Sequence, residues 1–273
     1  MIFVGGTGRS GTTVLAQAFA KDPDLAVFIE PRFMIGDGGL LEYAVSQRID
    51  RAMFVENFIR DFLPKMNRNL RRFGTLDSPQ RLYSSNSIRL LDSGIRAHQR
   101  YDYARLFTVR LTSMACGVLR AKDAVIKDPH SILWASYIQL IFEQSYFIHI
   151  IRDPRDVCAS VVKRKWGPKS AVEFSGWYSR IMAGAYTQYE HCQHKSRYAV
   201  VQLEELAREP LAVMDKLYGR FFGSSYPAES IGQLLALVNP GKAHIGRHRA
   251  AGYGYGMLEQ VGETYQRWQA LTI

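Results

Sequence analysis

Ile2-Phe3-Val4-Gly5-Gly6-Thr7-Gly8-Arg9-Ser10-Gly11-Thr12-Thr13-Val14-Leu15 is the stretch that decides the fold. Its apolar opening reads as a buried strand, its glycines as a tight turn, and Thr12 to Ala20 as a helix. A strand, a glycine turn and a helix N-terminus make a phosphate cradle. Backbone N–H groups and the positive end of the helix dipole point into the loop. Glycine serves where the chain turns with positive φ or where backbone must approach a ligand closely.

Gly6 and Gly11 have the G-x-x-x-x-G spacing of a Walker A element, but Thr12 stands where its lysine belongs. The cation sits earlier, at Arg9. Lys21 to Asp24 is a turn, and Leu25 to Ile29 reads as a second strand running into Glu30-Pro31-Arg32-Phe33. Ligands of open α/β sheets bind at the C-terminal edge of the strands, where both the loop and Glu30 fall.

From Met34 to about Arg120 the pattern is helical and its order weaker. Leu41 to Ile49, Ala52 to Leu63 and Tyr101 to Leu119 read as helices, and Pro64 to Pro79 as a basic, polar stretch. The segment from about 34 to 120 reads as an α-helical insertion over the substrate edge, the usual place for a lid. Ala124 to Lys127 is a third strand, stopped by Asp128-Pro129. Ser131 to Phe142 reads as a helix and Tyr146 to Ile151 as a central strand. Asp153 caps the next helix, with Pro154 at its first position. Ala171 to His191, Glu204 to Phe221 and Leu258 to Leu271 read as helices, and Tyr198 to Leu203 as a further strand. Strands alternating with helices predict a single α/β domain over residues 1–273, a central parallel sheet with helices on both faces.

The chain has 273 residues, a 47% hydrophobic fraction and a net charge of +10, which implies an anionic partner or substrate. The basic residues form no long run. Arg68 to Arg72 and Lys163 to Lys165 read as solvated faces. Three cysteines are too few for a disulfide scaffold, and no signal-peptide pattern or apolar run of about 18 residues is present. The expected setting is cytoplasmic, with the strand at Met1 leaving open whether an extension once preceded it.

Arg9, Lys127 and Arg152 each follow or end a predicted strand, so a parallel sheet brings them to one edge together with Glu30. Ser160 lies about two turns into the helix that follows Arg152, within reach of the same anion. Here the residues resemble a known family. Arg9-Ser10-Gly11-Thr12-Thr13 is similar to the 5′-phosphosulfate loop of sulfotransferases, Arg152-Asp153-Pro154-Arg155-Asp156 with Ser160 to their 3′-phosphate motif, and Lys127-Asp128-Pro129 to their lysine strand. Glu30-Pro31-Arg32 resembles the Glu-x-Arg of tyrosylprotein sulfotransferases, in which the glutamate is the base. Ile245-Gly246-Arg247-His248-Arg249 resembles a Gly-Arg-Trp-like segment of bacterial members, with His248 in place of the tryptophan.

The resemblance implies a P-loop NTPase-like fold and the donor 3′-phosphoadenylyl sulfate (PAPS), with adenosine 3′,5′-bisphosphate (PAP) as product. It implies a donor site of Gly8, Arg9, Ser10, Gly11, Thr12, Thr13, Arg152, Ser160 and Arg247. Glu30, Arg9 and Lys127 would be catalytic, and Arg32 would meet the substrate. The acceptor would bear a hydroxyl, on a small molecule, a carbohydrate or a tyrosine. No metal is expected, because a sulfuryl group is less charged than a terminal phosphoryl, and neither is a nucleic-acid partner. Many members carry a tyrosine where Leu203 stands, just before Glu204-Glu205-Leu206. Two other readings stay open: a nucleotide kinase or NTPase with an aberrant loop, and a non-catalytic anion-binding protein. Glu30 paired with Arg32 or Arg9, and Arg152 with Asp153, also have purely structural readings.

Overall fold

The computed structural model of the protein describes residues 1–238, 244–252 and 259–273. Its centre is an all-parallel sheet of β1 (Ile2–Gly6), β2 (Leu25–Ile29), β3 (Asp123–Lys127), β4 (Tyr146–Ile151) and β5 (Tyr198–Gln202). The strand order is β2-β3-β1-β4-β5, so β1 is central, with Ile2 opposite both Val125 and Tyr146. All five β1 residues are buried. A strand covered on both faces has no polar face to alternate with, which is why the sequence shows an unbroken apolar run.

Successive side chains of each strand point to opposite faces, and the two faces build two cores. Phe3, Phe28, Ile126 and Phe147 pack with Phe107 and Tyr178 on one side. Ile2, Val4, Val125, Ile148 and Ile150 pack with Leu15 and Leu217 on the other. Burial of each such side chain contributes roughly 1.5–3 kcal/mol. The α/β class with helices on both faces is as the sequence predicts.

The helices differ from the expectation in four places. Residues 131–142 are not one helix. Pro129–Trp134 is a 3₁₀ segment, and the α-helix proper is Ala135–Ile141. The cause is local: Asp128 accepts the His130 N–H at 3.2 Å, and Pro129 starts the turn early. Residues 204–221 are two helices, Leu203–Arg208 and Pro210–Phe222, because proline cannot continue a helix and restricts the residue before it. Before β3 the helices are Leu40–Val45, Arg51–Asn57 and Leu63–Arg72, with a π-helical turn at Phe58–Phe62, followed by Pro79–Leu82, Ser85–Ser93 and Arg100–Leu119. Ile231–Leu237 forms a further helix that the sequence reading passed over.

The helix Leu63–Arg72 is the one that matters for the site. The sequence reading missed it because Met66 and Leu70 form a single narrow apolar stripe among Lys65, Arg68, Arg71 and Arg72. Pro64 sits in its first turn, where no N–H is needed. Asn69 Nδ2 donates to the Glu30 carbonyl at 2.7 Å and Thr75 Oγ1 to the Val27 carbonyl at 2.6 Å. These two bonds fasten the helix and its exit to the end of β2.

The last helix is Glu259–Gln269; the expected start at Leu258 lies outside the described residues. Its Trp268 is fully buried and meets the His149 ring at 4.3 Å. Tyr198 OH lies 3.2 Å from His149 Nδ1. Burial holds the His149 pKa far below its usual value, at about 3. Between that value and the unfolded pKa near 6.5 only the unfolded chain binds the proton. The stability that His149 contributes is therefore complete above pH ~6.5 and falls by about 1.4 kcal/mol per pH unit below it. Urea unfolding at pH 7, 6 and 5 checks this, and His149→Gln should remove that share of the slope.

Candidate active site

Because the strands are parallel and adjacent, the C-terminal ends of β1, β2, β3 and β4 deliver Arg9, Glu30, Lys127 and Arg152 to one edge. Two sub-sites form there. The first is an ion-paired cluster at the ends of β2 and β3. The Glu30 N–H continues the sheet pairing onto the Lys127 carbonyl at 2.7 Å. Lys127 Nζ then meets Glu30 Oε1 at 2.7 Å, and Arg32 Nη2 meets Oε2 at 3.1 Å. The Lys127 side chain is 1% exposed, that of Glu30 28% and that of Arg32 54%.

Burial alone would raise the Glu30 pKa, but Lys127 and then Arg32 outweigh it and hold the carboxyl below its ordinary range. Burial lowers the pKa of Lys127, against the pull of Glu30. The structural reading of Glu30 with Arg32 and the functional one thus describe the same contact, and Lys127 is the stronger partner. Glu30 does not pair with Arg9 among the described contacts; Arg9 turns elsewhere.

The second sub-site is a cationic cradle between the β1 loop and the helix Pro154–Val161. Arg9 Nε donates to Ser160 Oγ at 2.9 Å. Arg152 Nη1 donates to the Arg9 carbonyl at 3.3 Å, and its Nη2 to Asp156 Oδ2 at 3.3 Å and to the His244 carbonyl at 2.8 Å. Arg152 pairs with Asp156, while Asp153 caps the helix through the Arg155 N–H and pairs with the Arg155 side chain. The Arg9 pKa is lowered, first by burial and then by the charges of Arg164, Arg152 and Arg247. Four arginines share one neighbourhood, a gathering that an anionic ligand would relieve.

The loop is shaped by its glycines. Gly11 has φ +99° and precedes the helix Thr12–Phe19. A Cβ on Gly6 would lie 2.5 Å from the Ile150 carbonyl oxygen. Gly6→Ala should cost about 1–3 kcal/mol through that overpacking, read as a lower urea midpoint. Ser10 Oγ ties the loop to the Thr7 carbonyl at 2.8 Å. Thr12 and Thr13 open the helix, and neither hydroxyl makes a hydrogen bond among the described residues. Leu203 packs on Gly11, since a Cβ there would meet Leu203 Cδ1 at 2.7 Å. The hydroxyl of a tyrosine at this position has no counterpart here.

Arg9, Glu30 and Arg32 have φ of +73°, +50° and +69°, and His244 has +54°. Each such non-glycine residue costs of order 1–3 kcal/mol, and they gather at this edge as strain does at functional sites.

The residues fit an anion bearing phosphate groups. Arg152 is 6% exposed, and its buried Nε has no partner among the described residues. A Cβ on Gly8 would lie 2.8 Å from the ring of Trp166, so that indole, 62% exposed, leans over the loop. The sequence reading missed Trp166, Arg164, Asn69 and the role of Asp156. Lys163 to Lys165 is the exposed face the sequence predicts, and the charge of Arg164 on it also acts on Arg9. The turn around it is held by the Gly167 N–H on the Arg164 carbonyl at 3.4 Å and by Lys169 Nζ on the Arg164 and Lys165 carbonyls. Arg247 is exposed on the short helix Arg247–Ala251, beside Arg9.

Sheet order and the glycine loop define an α/β protein with a P-loop-like fold, with Thr12 at the Walker A lysine position and Arg9 earlier in the loop. The chain belongs to the sulfotransferase family, whose model matches residues 2–227. Solved structures agree on the fold. The sulfotransferase domain of the Synechococcus PCC 7002 olefin synthase is 15% identical, with a TM-score of 0.55 over 100% of this chain and 88% of that one. The sulfotransferase domain from the curacin biosynthetic pathway is 15% identical, with a TM-score of 0.52 over 84% of this chain and 76% of its own. A sulfotransferase of Mycobacterium avium is 15% identical, with a TM-score of 0.51 over 97% and 76%. None of the curated protein sequences matches the chain.

Proposed function

We propose that the protein transfers the sulfuryl group of PAPS to a hydroxyl of its acceptor. The observation that carries this reading is the single cradle formed when Arg9 bonds Ser160 and Arg152 bonds the Arg9 backbone, with the Glu30–Lys127 pair on the same sheet edge. Arg152, Ser160 and Arg247 suit the 3′-phosphate. The amides from Gly8 to Gly11, with Thr12 and Thr13, suit the 5′-phosphosulfate at a helix N-terminus.

In the proposed reaction the acceptor oxygen forms a bond to sulfur while the sulfur–oxygen bond to the 5′-phosphate breaks. The acceptor proton passes to Glu30, and the electron pair of the broken bond stays on the departing phosphate oxygen of PAP. Arg9 and Lys127 are the cations available to stabilise that charge. The Glu30–Lys127 contact couples the two tasks. As Lys127 turns toward the developing charge, Glu30 loses the partner that depresses its pKa and becomes a better base at the moment it is needed. Arg32, on the exposed side of Glu30, would meet the acceptor in this reading.

Calorimetric titration tests the donor. PAP should bind without metal and more tightly than ATP with magnesium; magnesium-dependent ATP binding with no response to PAP would overturn the reading.

A further inference from the structure

One buried carboxylate ties the helix Pro154–Val161 to Arg152 and to the segment that carries Arg247. Asp156 is 1% exposed on the helix Pro154–Val161 and accepts four hydrogen bonds. Its Oδ1 takes the His248 N–H at 2.9 Å and His248 Nδ1 at 2.8 Å. Its Oδ2 takes the Gly246 N–H at 2.8 Å and Arg152 Nη2 at 3.3 Å. Burial alone would raise the Asp156 pKa; the His248 bonds, the Gly246 N–H and Arg152 together hold it low. A carboxylate satisfied this fully stays charged, and so keeps all four donors.

We propose that Asp156 is a positioning residue for the donor's 3′-phosphate. It makes no contact with the donor itself. It orients Arg152, and through Gly246 and His248 it brackets Arg247 and sets that arginine beside Arg9. Arg152 seals the same join from its side by donating to the His244 carbonyl. The Arg152 Nη atoms are held by the Arg9 and His244 carbonyls and by Asp156, so the guanidinium is fixed before any ligand arrives. A guanidinium fixed in advance loses less freedom on binding, and that gain is spent on the 3′-phosphate alone. His248 fits this role because its side chain and its own N–H reach one carboxylate oxygen together.

The inference rests on the PAPS reading, and PAP against adenosine 5′-monophosphate separates the two, because they differ only by the 3′-phosphate. Isothermal titration of the full chain should show PAP binding the more tightly. Asp156→Asn should cut PAP affinity by about tenfold or more and leave the monophosphate's affinity unchanged. His248→Asn, which keeps a side-chain N–H near Nδ1, should retain most of the preference. His248→Ala should lose part of it, and serves as the test should Asp156→Asn fail to fold. An unchanged ratio in the tested variant, or an equal loss for both nucleotides, overturns the inference and leaves the donor reading standing. A parent chain that does not distinguish the two nucleotides overturns both.

Discussion

Glu30→Gln is expected to lower turnover by about 10²–10⁴-fold, the usual worth of a general base, while PAP binding stays close to that of the parent chain. The amide keeps the shape of the carboxylate and still offers an oxygen to Lys127, so the end of β2 has little reason to move. What it cannot do is take a proton. Single-turnover sulfuryl transfer, followed beside a PAP titration of the same protein, separates the two effects, and full activity in the variant would end Glu30's claim to the role. The pH profile supplies a second check. Lys127 and Arg32 outweigh burial and depress the Glu30 pKa in the resting site. A base with a lowered pKa is deprotonated above its folded pKa, so its acid limb should lie below the ordinary glutamate value of about 4.3.

Lys127→Met should separate activity from stability in the opposite direction from most buried substitutions. Turnover should fall by about 10²–10³-fold, as when one preorganised group facing a developing oxyanion is removed. Stability should hold or rise, because the ammonium is 1% exposed and a thioether of similar length fills its place without a desolvation cost. Glu30 keeps Arg32 and partial contact with water. The same variant should move the Glu30 acid limb upward, since the charge that depresses it most is gone. Thermal unfolding, with kcat measured across pH on the same preparation, reads all three. A large loss of Tm would show that the pair is held for stability.

The parts of the candidate site that local pattern encodes are legible in the sequence. The loop carries its own glycine spacing, and a strand-end residue in a parallel sheet is bound for one edge whatever else the chain does. The placement of Arg9, Glu30, Lys127 and Arg152 at one edge follows in that way. That of Asn69 and Asp156 does not. Asn69 reaches Glu30 from a helix hidden by its own charges, and Asp156 meets His248 across 92 positions with no periodicity to announce it. Trp166 was lost because three basic neighbours made its segment look like ordinary solvated surface. The positive φ values of Arg9, Glu30 and Arg32 leave no mark on sequence, since nothing in those residue types asks for them. Pro210 did leave a mark, and a stricter use of proline would have divided that helix correctly.

The central place of β1 also sets an order of events during synthesis. Ile2 must wait for Val125 to cover one of its edges and then for Tyr146 to cover the other. At ribosomal rates of about 5–20 residues per second, the first of those partners arrives roughly 6–25 s later. Through that interval an apolar strand stands with both edges open, the condition in which chains pair with the wrong neighbour. The nascent protein therefore has the most to gain from a holding chaperone before β3 and β4 emerge. A slow codon run placed between β1 and β3 should cost more soluble yield than the same run placed after β5.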